Sequence, residues 1–190
     1  KTNRFPGERS LFEHSVLAAA SLSDAFLSQG NRVSLLHYGR YLDWTLPAYG
    51  KVQRERIMHA LAHAQTGGSP VFSGLEHIPV RLFPAHSQVV LVSPLDAGDM
   101  DILIQLRARG YQIMVISPDP VSFELSYLPE NPSVALASRV VRMERDLLIK
   151  KLQHAGVQVL DWNVAHPFDQ VMKQRLGPPP ALLRAIGGRI

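Results

Sequence analysis

Apolar positions along this chain fall into two kinds of block. Two runs are almost unbroken, Gln88 to Leu95 (QVVLVSPL) and Gln112 to Pro120 (QIMVISPDP), and each carries a Ser-Pro pair near its end. A strand apolar on both of its alternating faces suits a parallel sheet with helices on both sides. Proline has no amide to give a ladder, so each Ser-Pro pair stops its strand at the carboxyl end, where open α/β sheets take ligands. Three shorter strand runs are Arg32 to Tyr38 (RVSLLHY), Leu42 to Leu46 (LDWTL) and Val157 to Trp162 (VQVLDW). The first two are separated by a turn of about three residues at Gly39, which predicts an antiparallel pair.

The remaining blocks have helical spacing. Ser10 and Glu13 form an S-x-x-E capping box ahead of a helix from Leu11 to about Gln29, with Phe12, Val16, Ala19, Leu22 and Phe26 as its buried stripe and Gly30 as its stop. A second helix runs from Lys51 to about Gln65, with Val52, Met58 and Leu61 inward and Gly67-Gly68 after it. Ser73 with Glu76 predicts a short capped helix before Pro79. Asp99 caps a helix from Met100 to Arg109, with Ile102, Leu103 and Leu106 on one side and Gly110 following. Asn131-Pro132 opens a long helix to about Ala155, with Leu136, Val140, Met143, Leu147 and Leu148 toward the core and Gly156 as its stop. Residues 167–176 predict a terminal helix, which Pro178 to Pro180 break from a final short turn.

Strands alternating with helices predict an α/β fold with a mostly parallel sheet. The 190 residues predict one domain, 1–190, in which 129–190 supply the long helix, the last strand and the terminal helices. No strand run precedes the first helix.

Composition narrows the chemistry. Hydrophobic residues are 46% and charged residues 19%, a globular balance, and there is no cysteine. Disulfides, thiolate metal ligands and cysteine nucleophiles are therefore excluded, and a reducing compartment is allowed. A net charge of +4 is a mild excess that predicts a loosely basic surface and no nucleic acid. No apolar run approaches the roughly 18 residues of a membrane span. No secretory signal opens the chain, which begins at Lys1 and reads as a piece of a longer protein.

Motifs are few. No G-x-G-x-x-G follows a strand, Gly50-Lys51 lacks the upstream glycine of a phosphate loop, and no G-x-S-x-G elbow occurs. His59 and His63, four apart on one helix, have metal-ligand spacing without an acidic partner or third ligand, and read as surface or half-buried histidines. Asp119, after a strand and between prolines, reads first as a turn residue. Arg139, Arg142, Arg145, Lys150 and Lys151, interleaved with Glu144 and Asp146, read as a solvated helix face. Ser93, Asp96, Asp99 and Asp101 gather after the Gln88 strand, as helix-capping groups or as a ligand edge.

Residues 7–128 resemble a von Willebrand factor A-like domain. The likeness runs through GERSLFEHSVLAAASLSDAFLSQGNRVSLLHYG, a short strand, LPAYGK, a helix and TGGSPVFSGLEHI. It is nearest to an uncharacterised family whose members often stand beside MoxR-type AAA+ ATPases. The resemblance implies a three-layer, Rossmann-like fold: a mostly parallel sheet, strand order 3-2-1-4-5-6, one antiparallel edge strand and helices on both faces. It also implies that the first strand, with its D-x-S-x-S metal loop, lies upstream of Lys1.

In that fold a metal-ion-dependent adhesion site holds Mg²⁺ with oxygens from three loops. Here Gly67-Gly68-Ser69 matches the second loop, with serine in place of threonine, and Ser93-Pro94 matches the Ser-Asp pair of the third. Proline offers no ligand atom, so the expected site is degenerate, with no cofactor unless the upstream loop supplies Mg²⁺ ligands. The expectation is a non-enzymatic, cytoplasmic interaction module that presents Gly67, Gly68, Ser69, Ser93, Asp96 and Asp99 to a protein partner. The resemblance implies an AAA+ ATPase as that partner, and any membrane anchor would lie outside this segment. The rival is an enzyme or small-molecule binder using Asp96, Asp99 and Asp119 as acids.

Overall fold

The computed structural model describes residues 9–38, 42–67 and 75–176. The described chain is mixed α/β, with strands β1 (Val33–Tyr38), β2 (Leu42–Ala48), β3 (Gln88–Val92), β4 (Gln112–Pro118) and β5 (Gln158–Trp162). Its helices are α1 (Leu11–Ser28), α2 (Gly50–Ala62), α3 (Asp99–Ala108), α4 (Pro120–Leu125), α5 (Pro132–His154) and α6 (Phe168–Leu176), with 3₁₀ turns at Leu75–His77 and Val80–Leu82.

Local signals do much of the punctuation. The Ser10 hydroxyl accepts the Glu13 amide at 3.2 Å while Glu13 Oε2 accepts the Ser10 amide at 2.6 Å, so the reciprocal box that opens α1 is complete. Asn131 caps α5 by accepting the Val134 amide at 2.8 Å, and Pro132 fills the first turn, where no amide is needed. Gly156 ends α5 at φ +81°, a conformation that costs a side chain but not glycine.

The strands form two sheets. β3, β4 and β5 are parallel in that order, with Gln88 opposite Gln112 and Met114 opposite Gln158. The Ser-Pro strands are thus parallel neighbours joined through α3, as predicted. β1 and β2 form a separate antiparallel hairpin, with Leu36 opposite Trp44 and Tyr38 opposite Leu42. β2 extends through Pro47, which an edge strand tolerates. A single continuous sheet is not what forms: among the described residues no ladder joins β1 to β3.

β4 is the strand at the centre of the core. Ile113 and Val115 pack on one face with Leu103 and Leu106 of α3 and Ile149 and Leu152 of α5. Met114 and Ile116 pack on the other with Ala18 and Leu22 of α1, Leu160 and Trp162 of β5, and Phe168 of α6. Val115 and Ile116 are fully buried, each contributing roughly 1.5–3 kcal/mol of transfer free energy. The apolar run of β3 predicts cover on both sides, yet every residue in it stays partly exposed, because it is the sheet's edge. A third core joins Leu27 of α1 to Ile57 and Leu61 of α2, with Val33 and Leu35 of the hairpin against them.

Two inward faces differ from expectation. In α2 the core positions are Gln53, Ile57 and Leu61, and Val52 is exposed. In α5 they are Arg145, Ile149 and Leu152, while Leu136, Val140, Met143 and Leu147 face outward. Each inward face includes one polar residue because that residue has hydrogen-bond partners to meet there. Gln53 Nε2 donates to the carbonyls of Val33 and Leu46, both at 2.8 Å, tying α2 to both strands of the hairpin. The Ser73 cap lies outside the described residues, and the segment it was to open is the 3₁₀ turn at 75–77.

Candidate functional site

A cleft of about 970 Å³ separates the two sheets. Residues Val33 to Tyr38 of β1 and Gln88 to Val92 of β3 both line it, and among the described residues each of these strands has one edge with no ladder partner. Its roof is α1. Phe12, Val16, Ala19, Leu22 and Phe26, the stripe expected to be buried in the core, all line the cleft, and only Leu22 is buried. Leu75, Ile78, Leu82 and Leu95 are among its other apolar lining. The walls are thus apolar side chains above and below, with backbone on the two sides.

The carboxyl ends of the strands form the polar mouth. Ser93 and Asp96, following β3, line the cleft together with Gly67 from beyond α2 and Glu124 from α4. Gly68 and Ser69 lie outside the described residues. Asp99 does not line the cleft and is not the cap of α3; it is the first residue of that helix, after Gly98. Its Oδ2 accepts the Asp96 amide at 3.0 Å, and Asp96 Oδ1 accepts the Ala97 amide at 2.6 Å. The Asp96–Asp99 turn is therefore held by its own carboxylates. Burial pushes the Asp99 carboxyl above the ordinary aspartate range, and the amides of Asp96 and Leu75 only partly offset it.

Magnesium needs a near-octahedral set of oxygens. Of the matched pair Ser93-Pro94 only Ser93 offers an oxygen, and Asp96, outside the match, is the nearest carboxylate in sequence that also lines the cleft. That set does not fit Mg²⁺. Among the described residues no cluster of three His, Asp or Glu could hold a metal ion. His59 and His63 are exposed, their rings 4.2 Å apart, and His63 Nδ1 lies 2.8 Å from the His59 carbonyl.

Behind the mouth lies a network that sequence reasoning missed. Arg145, read as part of a solvated face, is buried. Its Nη2 donates to Asp161 Oδ1 at 2.6 Å and to the Ser117 hydroxyl at 2.9 Å, and its Nε stands 3.6 Å from Asp119 Oδ1. Asp119 is itself buried; it caps α4 by accepting the amides of Val121 and Ser122 and the Ser122 hydroxyl. A signal did exist, since Arg145 shares the 4-3 spacing of Ile149 and Leu152. Of the acids proposed for catalysis, Asp119 is thus engaged with α4 and Arg145, and Asp99 with the Asp96 turn.

Comparison with protein-family models, with curated proteins and with solved structures yields no match.

Proposed function

We propose that this chain is a non-enzymatic protein-interaction module that takes an extended segment of its partner into the cleft between β1 and β3. The observation that supports this is that, among the described residues, β1 and β3 each keep one edge without a ladder partner and both line the same apolar cleft, an arrangement suited to strand addition. Backbone groups on both edges would bind the inserted segment, and the apolar roof and floor would select its side chains. The segment is therefore extended, free of proline and apolar on both faces, in the manner of β4. The three-layer von Willebrand A-like sheet with its degenerate metal site belongs to this proposal, the inserted strand being what would join the hairpin to the parallel sheet. The resemblance directs the search for a partner toward an AAA+ ATPase complex.

Selection from a displayed library of random peptides tests the idea without naming the partner. Binders should share an uncharged apolar run of about the five residues of β3 and should slow amide exchange in both Val33–Tyr38 and Gln88–Val92. A library that yields no binders, or binders that leave both strand edges exchanging as before, would overturn it.

A further inference from the structure

The outward face of α5 carries a second surface, and its pattern indicates what covers it. Leu136, Val140, Met143 and Leu147 recur at steps of four, three and four, the spacing of a coiled-coil seam. They are 64, 49, 66 and 58% exposed. Monomeric surfaces seldom carry so continuous an apolar stripe. The first half of the helix, 132–144, keeps nearly every residue exposed, and Arg142 ties it to α4 through the Ser122 hydroxyl at 3.1 Å.

The seam is a palindrome. Read in reverse about the midpoint between Val141 and Arg142, Leu136 falls on Leu147 and Val140 on Met143. We infer that α5 pairs antiparallel with α5 of a second copy, in an isologous two-fold dimer. In that arrangement Leu136 meets the second copy's Leu147, and Arg139 on the flank meets its Asp146. Both contacts occur twice by symmetry. Arg139, Glu144 and Asp146 form no ion pair with a described residue, so their charges are available. The flanking charges suit either direction of pairing, and Lys150 decides between them. It continues the seam by three residues beyond Leu147, so parallel chains would place it against its own copy, whereas antiparallel chains place it against Ser133. α5 contributes no residue to the cleft, so the inference stands apart from the proposed function.

Two heptads cover less than a standard interface of roughly 1,200–2,000 Å², so dissociation in the micromolar range is expected. Sedimentation equilibrium at about ten times that concentration should give a weight-average mass about 1.8 times the 21.1 kDa of one chain, and Met143→Lys should return it to a single chain. Arg139→Asp should weaken the dimer about three- to thirtyfold, and adding Asp146→Arg should restore it. Because the chain has no cysteine, introduced thiols report geometry cleanly. Leu136→Cys with Leu147→Cys should form disulfide-linked dimers on oxidation. Leu136→Cys alone should not, since its two copies lie about 16 Å apart along the pair. A single chain at about 100 µM, a dimer indifferent to Met143→Lys, or cross-linking by Leu136→Cys alone would each overturn the inference.

Discussion

The Arg145 guanidinium donates to the Ser117 hydroxyl at 2.9 Å, and that hydroxyl accepts the amide of Leu95 at 3.3 Å. One buried serine thus links α5 to the loop that follows β3 and so positions the mouth of the cleft. Arg145 also holds the charges of Asp119 and Asp161 beside it. Removing it leaves buried Asp119 with only the half-exposed Arg142 guanidinium, 3.8 Å away, and Arg145→Ala should destabilise the domain by about 3 kcal/mol. Arg145→Lys should recover only part, because an ammonium lacks the fork that reaches serine and carboxylate together. Urea unfolding of the two variants measures both numbers.

Asp99 and Glu13 should respond to acid with opposite signs. Burial raises the folded-state value of Asp99 above its ordinary 3.8, so its cost to stability is absent below that pH and grows as pH rises through the raised value. Asp99→Asn should equal the parent at low pH and match or exceed it near neutrality. Hydrogen bonds from the Ser10 amide and hydroxyl lower Glu13 below its ordinary 4.5. Its contribution is complete above 4.5 and is lost as pH falls through the lowered value, so Glu13→Gln should flatten that acid limb. Thermal melts from about pH 2 to 7 would separate the two effects.

Magnesium and manganese should find no saturable site tighter than about millimolar, because Ser93 and Asp96 fall short of an octahedral oxygen set. Titration calorimetry decides this, and a micromolar site would show that further oxygens converge on the mouth.

Gln53→Met should loosen the hairpin. The substitution keeps the volume of a buried side chain but removes the donor shared by the Val33 and Leu46 carbonyls. Leaving two acceptors unsatisfied should cost about 2–4 kcal/mol and speed amide exchange in β1 and β2 before that in β4.

The residues legible in the sequence are those whose partners lie within a few positions. Ser10 with Glu13, Asn131 with Pro132 and the glycine stops act over one helical turn, and the Ser-Pro strands declare their parallel pairing through composition. What stays hidden depends on distant partners. The outward stripe of α5 is the more apolar one and so reads as the core face, because nothing near Arg145 tells that Ser117, Asp119 and Asp161 await it. Val52 misleads for the same reason, since Gln53 is drawn inward by carbonyls of the hairpin. The stripe on α1 is recognisable as an apolar face; its facing a cleft follows from β1 and β3 standing apart, which no local pattern encodes. Of the candidate site, Gly67, Ser93 and Asp96 line one cleft, whereas Asp99 does not line it and accepts the amide of Asp96.

The position of α1 across both sheets bears on how the domain assembles. The hairpin with α1 and α2 is built from neighbours within residues 11–62, whereas the parallel sheet must bring Gln88 to Gln112 and Met114 to Gln158. Short closures are fast and long ones slow, so the hairpin unit should be in place while the sheet is still forming. α1 belongs to both, giving Leu27 to one core and Ala18 and Leu22 to the other. It then settles first against the hairpin unit and only afterwards against the sheet, and local melting spreads between the two through it. The cleft is a seam between two units that mature at different speeds, and α1 is the stitch across it.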